Sequence, residues 1–215
     1  MSTIVHIVCT DPAHGVNAWL QRWAVAHAHD AEVSILRDAR EAVGGDFLFL
    51  VSCHQIVGAE LRARYRHTLV LHASALPAGR GMSPHVWQLL EGKPGFTLTM
   101  LEAVDALDAG RIWHQIEVEV PPSAVCHEIN ERLFAAELAL MDWALENAAT
   151  VQPREQHGES SYYRKRGPAD SRIDPARPLA EQFDLLRVSD PERYPAHFEY
   201  RGRRYRLRLE PMEES

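Results

Sequence analysis

Basic residues are in short supply: 23 Lys and Arg stand against 30 Asp and Glu, a formal net charge of −7. Broad nucleic-acid binding draws on clustered cations facing phosphates, so this balance argues against a polynucleotide partner and leaves room only for a local basic pocket. Cysteine is scarce too. Cys9, Cys53 and Cys126 are odd in number, far apart and without a Cys-x-x-Cys pair, which suggests neither a disulfide framework nor a zinc site. No run approaches the roughly 20 apolar residues of a membrane span. The opening MSTIVHIVCTDPAHG lacks the basic and apolar regions of a signal peptide. A cytoplasmic protein with no membrane partner is expected. No internal repeat is visible. What the chain does have is 215 residues, 46% of them hydrophobic, enough for a real core and one good-sized α/β domain.

Apolar runs and turn residues alternate along the first half. IVHIVC (4–9) reads as a buried strand, followed by the turn-rich TDPAHG. Trp19, Leu20, Trp23 and Ala24 repeat at helical spacing, and residues 32–36 form a plausible second strand. FLFLV (47–51) is apolar on both faces, as buried parallel strands are. A helix near residues 59–65 leads to TLVL (68–71), which ends on His72. Strand, helix, strand, helix, strand in this order predicts an α/β fold with a parallel sheet and crossover helices. After a loop over 72–84, the pattern predicts a helix over 85–90 and strands over 96–102 and 112–120. Pro121 and Pro122 stop the last strand, and Ser123 is positioned to cap the long helix marked by Val125, Ile129, Leu133, Phe134, Leu138, Met141 and Leu145. Composition shifts near residue 150. Residues 151–215 are expected to form an extension packed on the main domain of residues 1–150, with a short helix over 179–188 and a closing β-hairpin around Arg201-Gly202.

Two stretches could carry chemistry. His72 ends an apolar strand and is followed by Ser74, Pro77, Arg80, Gly81 and Ser83; ligands of open α/β sheets bind just beyond such strand ends. Alone, a strand-end histidine bonded to backbone is the commoner case. Asp105-Ala-Leu-Asp108-Ala-Gly110 places two carboxylates in an inter-strand loop, with a glycine that permits a tight turn and a close approach to a ligand. Alone, a polar turn is the better reading. An imidazole and a carboxylate brought together from separate loops can share acid–base work.

Taken together, LHASALPAGRGMSPHVWQLLEGKPGFTLTMLEAVDALDAGRI (71–112) resembles the core of the folate-dependent formyltransferases. In that family an Asn-x-His ends a strand, a Ser-Leu-Leu-Pro-x-x-x-Gly loop follows, and a later Asp-x-Gly loop supplies the acid. The resemblance implies a Rossmann-like formyltransferase fold: a mainly parallel twisted sheet flanked by helices, with a small C-terminal tail. It puts His72 and Asp108 at the catalytic positions and makes 1–150 the catalytic domain. It implies 10-formyltetrahydrofolate as formyl donor, lying along the strand end after Phe47 and the loop 103–110. Ser52, His54, Gln55, Ala103, Asp105 and Gly110 are then its candidate contacts, and Ser74, Pro77, Arg80, Gly81 and Ser83 form the substrate loop. His72 is expected to stabilise the formyl oxygen while Asp108 orients it and relays a proton.

One position departs from the family. Its Asn, two residues before the His, is Val70 here, and losing an oxyanion donor costs ~3–4 kcal/mol in related chemistry. Protonated His72 with backbone N–H groups, or Ser74 or Ser83, would have to substitute, or activity is low. The Gly-Arg-Gly-x-Ser-Pro loop and the tail resemble the branch acting on nucleotide-linked amino sugars, including a type from pseudaminic acid pathways; Arg164, Lys165, Arg166 and Arg187 could reach a diphosphate. A glycinamide ribonucleotide acceptor is the alternative, then a non-catalytic folate- or nucleotide-binding module; a tRNA acceptor fits the acidic charge poorly. The long helix or the tail could pair two subunits as a homodimer.

Overall fold

The computed structural model describes residues 2–212. Four strands, β1 (Thr3–Val8), β2 (Ala31–Leu36), β3 (Gly45–Leu50) and β4 (Tyr65–His72), run parallel. A two-residue strand β5 (Arg80–Gly81) lies outside the sheet. Strands β6 (Gly95–Glu102) and β7 (Ile112–Glu119) complete it in the order β2-β1-β3-β4-β6-β7. The sheet is mainly parallel, as expected; β6 runs antiparallel to β4, and β7 antiparallel to β6.

The alternation inside β3 shows how one short run serves two layers. Phe47 and Phe49 point into the cluster formed with α1 (Val16–Ala26) and the long helix α4 (Cys126–Asn147). Leu48 and Leu50 point the other way, into a smaller cluster with Val8, Ala39, Ala42, Val57 and Tyr65. Burial on both faces explains why β3 reads as a continuous apolar run. That second face is covered only thinly, by a turn of 3-10 helix (Ala39–Glu41) and the four-residue α2 (Ala59–Arg62). α4 starts within a residue of the expected Val125, but Ser123 does not cap it. Pro122 and Ser123 form a turn in which the Ala124 N–H donates to the Pro121 carbonyl at 2.9 Å, and the first helical turn is closed by Glu128, whose carboxylate accepts the Val125 N–H at 2.8 Å.

α4 buries one carboxyl in the apolar layer. Glu137 is 5% exposed, and its Oε2 has no hydrogen-bond partner. Burial pushes its pKa up to about 8. Below the unfolded carboxyl value, about 4.3, both states are protonated and nothing is lost. As pH rises from there toward 8 the unfolded chain releases a proton that the folded chain keeps, so stability falls, on the order of a few kcal/mol in all. Glu137→Leu should therefore raise Tm more at about pH 9 than at about pH 5, by about 5 °C or more. Equal gains at both pH values in thermal melts would contradict this.

Beyond α4 the chain returns across the carboxyl end of the sheet. Its two-residue strand β8 (Tyr162–Tyr163) pairs with β5, a contact no periodicity foretold. A 3-10 turn (Leu179–Gln182), α5 (Phe183–Arg187) and the hairpin β9 (Ala196–Tyr200) and β10 (Arg203–Leu207) follow, as the expected short helix and closing hairpin. Among the described residues no helix is long and apolar enough to cross a membrane.

Candidate active site

His72 is the last residue of β4, and the next residues fold back over it. Its Nε2–H donates to the Gly79 carbonyl at 2.9 Å, while Nδ1 stands 3.6 Å from Asp108 Oδ1. Both side chains are only 7% exposed. Asp108 adopts φ 51°, a left-handed conformation that Asp tolerates better than most residues. Its second oxygen accepts the Gly81 N–H at 2.9 Å. Fold and loop conformation thus bring together the imidazole and the carboxylate expected from the sequence. Only a doubly protonated ring could donate to Gly79 and Asp108 at once. The expectation that His72 holds the formyl oxygen meets an obstacle: both ring nitrogens already face protein acceptors.

The loop after His72 is shaped by backbone contacts with the returning segment. Gly81 has φ +101°, and a Cβ there would stand 2.3 Å from the Tyr163 carbonyl. The Gly79 N–H donates to the Ser161 hydroxyl at 2.9 Å. Gln156, which sequence reasoning passed over, clamps both loops: its Nε2 donates to the carbonyls of Asp108 (2.8 Å) and Gly110 (2.9 Å), and its Oε1 accepts from Arg80 at 2.7 Å. Arg80 is therefore turned toward this segment. Ser74 is 1% exposed with an unpartnered hydroxyl, Pro77 follows a cis peptide bond, and Ser83 is exposed at φ 50° before α3 (Pro84–Leu90) without capping it.

The residues expected around the folate fall into two groups. Ser52, at φ 48°, lies 3.3 Å from His14 Nε2, and His54 is bound through its N–H and Nδ1 to the Thr10 hydroxyl at 3.1 and 3.2 Å. The Gln55 side-chain oxygen accepts the Ala39 N–H at 2.7 Å, leaving its amide NH2 on the exposed side. On the facing loop, the Ala103 N–H binds the Thr68 carbonyl at 2.8 Å. Asp105 is ion-paired with Arg62 at 2.7 Å, and Arg62 also donates to the Val57 carbonyl at 2.5 Å, so one guanidinium ties the two loops together. The close approach expected of Gly110 is made to β6 rather than to a ligand: its added Cβ would fall 1.8 Å from the Glu102 carbonyl.

The basic cluster of the tail is mostly spent on the protein itself. Arg187 is 4% exposed against Asp184 at 2.6 Å. Arg164 pairs with Asp170 at 2.5 Å and lies over Trp87 at 4.9 Å. Two of the four cations expected to reach a diphosphate are thus already ion-paired. Arg166 differs: it is half-buried, its Nε has no partner, and desolvation lowers its pKa. Burial, with the charges of His14, His72 and Arg166 adding to it, lowers the pKa of His85 to about 4. His14 and His85 were not singled out in the sequence, because their segments converge only in the fold.

An open α/β sheet that buries an imidazole–carboxylate pair at the carboxyl end of an inner strand is suited to acid–base or group-transfer chemistry. Residues 9–145 match the family described as formyl transferase, and the chain belongs to that family. Among solved structures it is similar to the methionyl-tRNA formyltransferase of Clostridium thermocellum, at 20% identity and a TM-score of 0.82, covering 99% of this chain and 94% of that one. A sugar N-formyltransferase of a Shewanella species matches at 18% identity and a TM-score of 0.74, covering 99% of each chain. HypX from Aquifex aeolicus, solved with tetrahydrofolic acid, matches at 19% identity and a TM-score of 0.79, covering 97% of this chain and 38% of that one. The protein is an enzyme of the formyl transferase family.

Proposed function

We propose that the chain moves the formyl group of 10-formyltetrahydrofolate onto the amino group of a nucleotide-linked amino sugar, with His72 and Asp108 as its catalytic pair. The observation that carries this is the enclosed His72–Asp108 contact at 3.6 Å, built from two separate loops. The donor supplies an activated one-carbon unit. The chain's own residues must accept it, orient it and move protons. Ile56, Val104 and Leu107 are 94%, 44% and 65% exposed on the two loops that Arg62 joins. Apolar side chains left open beside backbone donors and acceptors suit a flat heterocycle, which would cover them and bond at its edge. Asp108, next to the reacting nitrogen, favours the positive charge that the attacking amine acquires; His72 shares the proton that the amine releases.

For the acceptor, support comes from the similarity to a sugar N-formyltransferase matched over nearly its whole length. The net charge of −7 disfavours tRNA. Exposed Lys165, and Arg166 through its unpartnered Nε, are the cations of the tail left to meet a phosphate, since Arg164 and Arg187 are paired and Arg166 spends only its Nη2, on the Asp170 carbonyl at 2.9 Å. Incubating the protein with 10-formyltetrahydrofolate and a panel of amino-sugar nucleotides, glycinamide ribonucleotide and charged tRNA should release tetrahydrofolate only with an amino-sugar nucleotide. Release driven by glycinamide ribonucleotide alone would move the assignment to purine synthesis.

A further inference from the structure

The loops that carry His72 and Asp108 lie inside the stretch shared with the family, but what holds them lies past its end at residue 145. Residues 154–163 cross these loops after α4, and no residue from 152 to 170 is buried. A segment with so little apolar anchorage is held mainly by its hydrogen bonds. Those bonds go to the surroundings of the pair. The Gly79 N–H donates to the Ser161 hydroxyl at 2.9 Å, and the Gly79 carbonyl accepts the His72 Nε2–H at 2.9 Å. Gln156 reaches the other loop.

We propose that Gln156 is a positioning residue for formyl transfer, holding Asp108 in the conformation that turns its carboxylate toward His72. The inference rests on the His72–Asp108 pair as the site of reaction. Asp108 has φ 51°, a backbone region that side chains other than glycine seldom occupy, so its direction depends on what pins the loop. Within the loop the support is weak: the Ala109 N–H reaches the Ala106 carbonyl only at 3.3 Å. Gln156 Nε2 donates to the Asp108 carbonyl at 2.8 Å and to the Gly110 carbonyl at 2.9 Å, on either side of Ala109. Its Oε1 accepts from Arg80 Nη2 at 2.7 Å. Two carbonyls require donors and a guanidinium requires an acceptor, so only one orientation of the amide serves all three. Behind the loop, Gly110 is already against the Glu102 carbonyl, so Gln156 closes the open side.

The ring of contacts is complete. Gln156 fixes the main chain of Asp108 and the side chain of Arg80; the next residue, Gly81, donates its N–H to Asp108 Oδ2 at 2.9 Å. The other oxygen, Oδ1, is left facing His72 Nδ1 at 3.6 Å. Gln156 is only half-buried and adds nothing to the apolar core. Its removal should therefore misplace the carboxylate rather than unfold the chain, and a displacement of about 1 Å at a reacting group costs on the order of 10²-fold in rate.

The test uses the full chain. Gln156→Ala should lower the kcat of tetrahydrofolate release by about 10–100-fold, with KM for both substrates within about threefold. Gln156→Glu keeps an acceptor for Arg80 but returns no N–H to the two carbonyls, so its loss should equal that of Gln156→Ala. Added to Asp108→Asn, Gln156→Ala should cost less than about a further threefold, since a group that acts through another is not additive with it. A second readout needs no substrate: in Gln156→Ala the Gly81 amide should exchange with solvent about tenfold faster, the worth of about one hydrogen bond, while the amides of β4 and β6 keep their rates. If the amino-sugar acceptor is wrong, the exchange measurement still decides. If Asp108→Asn alone keeps the wild-type rate, the catalytic pair fails and the role of Gln156 with it. Unchanged exchange at Gly81, a near-wild-type kcat in Gln156→Glu, or the same fold-loss with and without Asp108→Asn would overturn the role of Gln156 while leaving the pair in place.

Discussion

His72→Ala should lower the kcat of formyl transfer by about 10³–10⁴-fold, the upper range for a group that handles protons and charge in one transition state. The loss should fall on kcat more than on KM, because the role proposed for the pair lies in moving charge and protons in the transition state rather than in holding the bulk of either substrate. Asp108→Asn is its companion. It keeps the shape and can still accept the Gly81 N–H that Oδ2 accepts at 2.9 Å, but it removes the charge facing His72, so a loss of about 10²–10³-fold is expected. The double variant should lose little more than His72→Ala, since paired groups acting as one unit are not additive. Multiplicative losses in the double variant, read from initial rates at saturating substrates, would show two independent roles and dissolve the pair.

Gly110→Ala should cost more than about 3 kcal/mol and bring down activity with stability. The reason is the identity of the atom struck. An added Cβ meets the Glu102 carbonyl at 1.8 Å and its carbonyl carbon at 2.8 Å, and these belong to β6, which cannot swing aside as a long side chain can. Either Glu102 leaves its place beside Leu69 or the Asp108 loop lifts away from the Gln156 clamp. Gly92→Ala is the control. Gly92 also has φ +80°, but nothing stands within 4 Å of its Cβ, so strain alone should cost about 1 kcal/mol. Comparable denaturation midpoints for the two variants would show that the contact at Gly110 is not what holds the loop.

Much of this was readable beforehand, for reasons visible residue by residue. FLFLV announced β3 because a strand buried on both faces must be apolar throughout. The heptad-like recurrence from Ile129 to Met141 announced α4 because only one side of that helix meets the sheet. His72, at a strand end, and Asp108, inside the loop between β6 and β7, could be singled out because residues 71–112 resemble the core of the formyltransferases. The direction of β6 was not readable, since antiparallel and parallel neighbours present the same apolar run to a sheet core. β5 and β8 escaped because two-residue strands have no period. Gln156 escaped for a related reason: it lies in a polar stretch that does not say what it will face.

Local alternation of apolar and polar residues, with turn residues at the joints, determined the strands and the helices, because these depend on neighbours a few positions away; the pair His72 and Asp108 was legible only through the resemblance of residues 71–112 to a family. Which N–H still has a free direction, which arginine is already neutralised and which glycine touches another strand were decided only by the tertiary structure. Hydrogen-bond capacity and excluded volume are shared between segments distant in the chain, and they are allotted only when those segments meet.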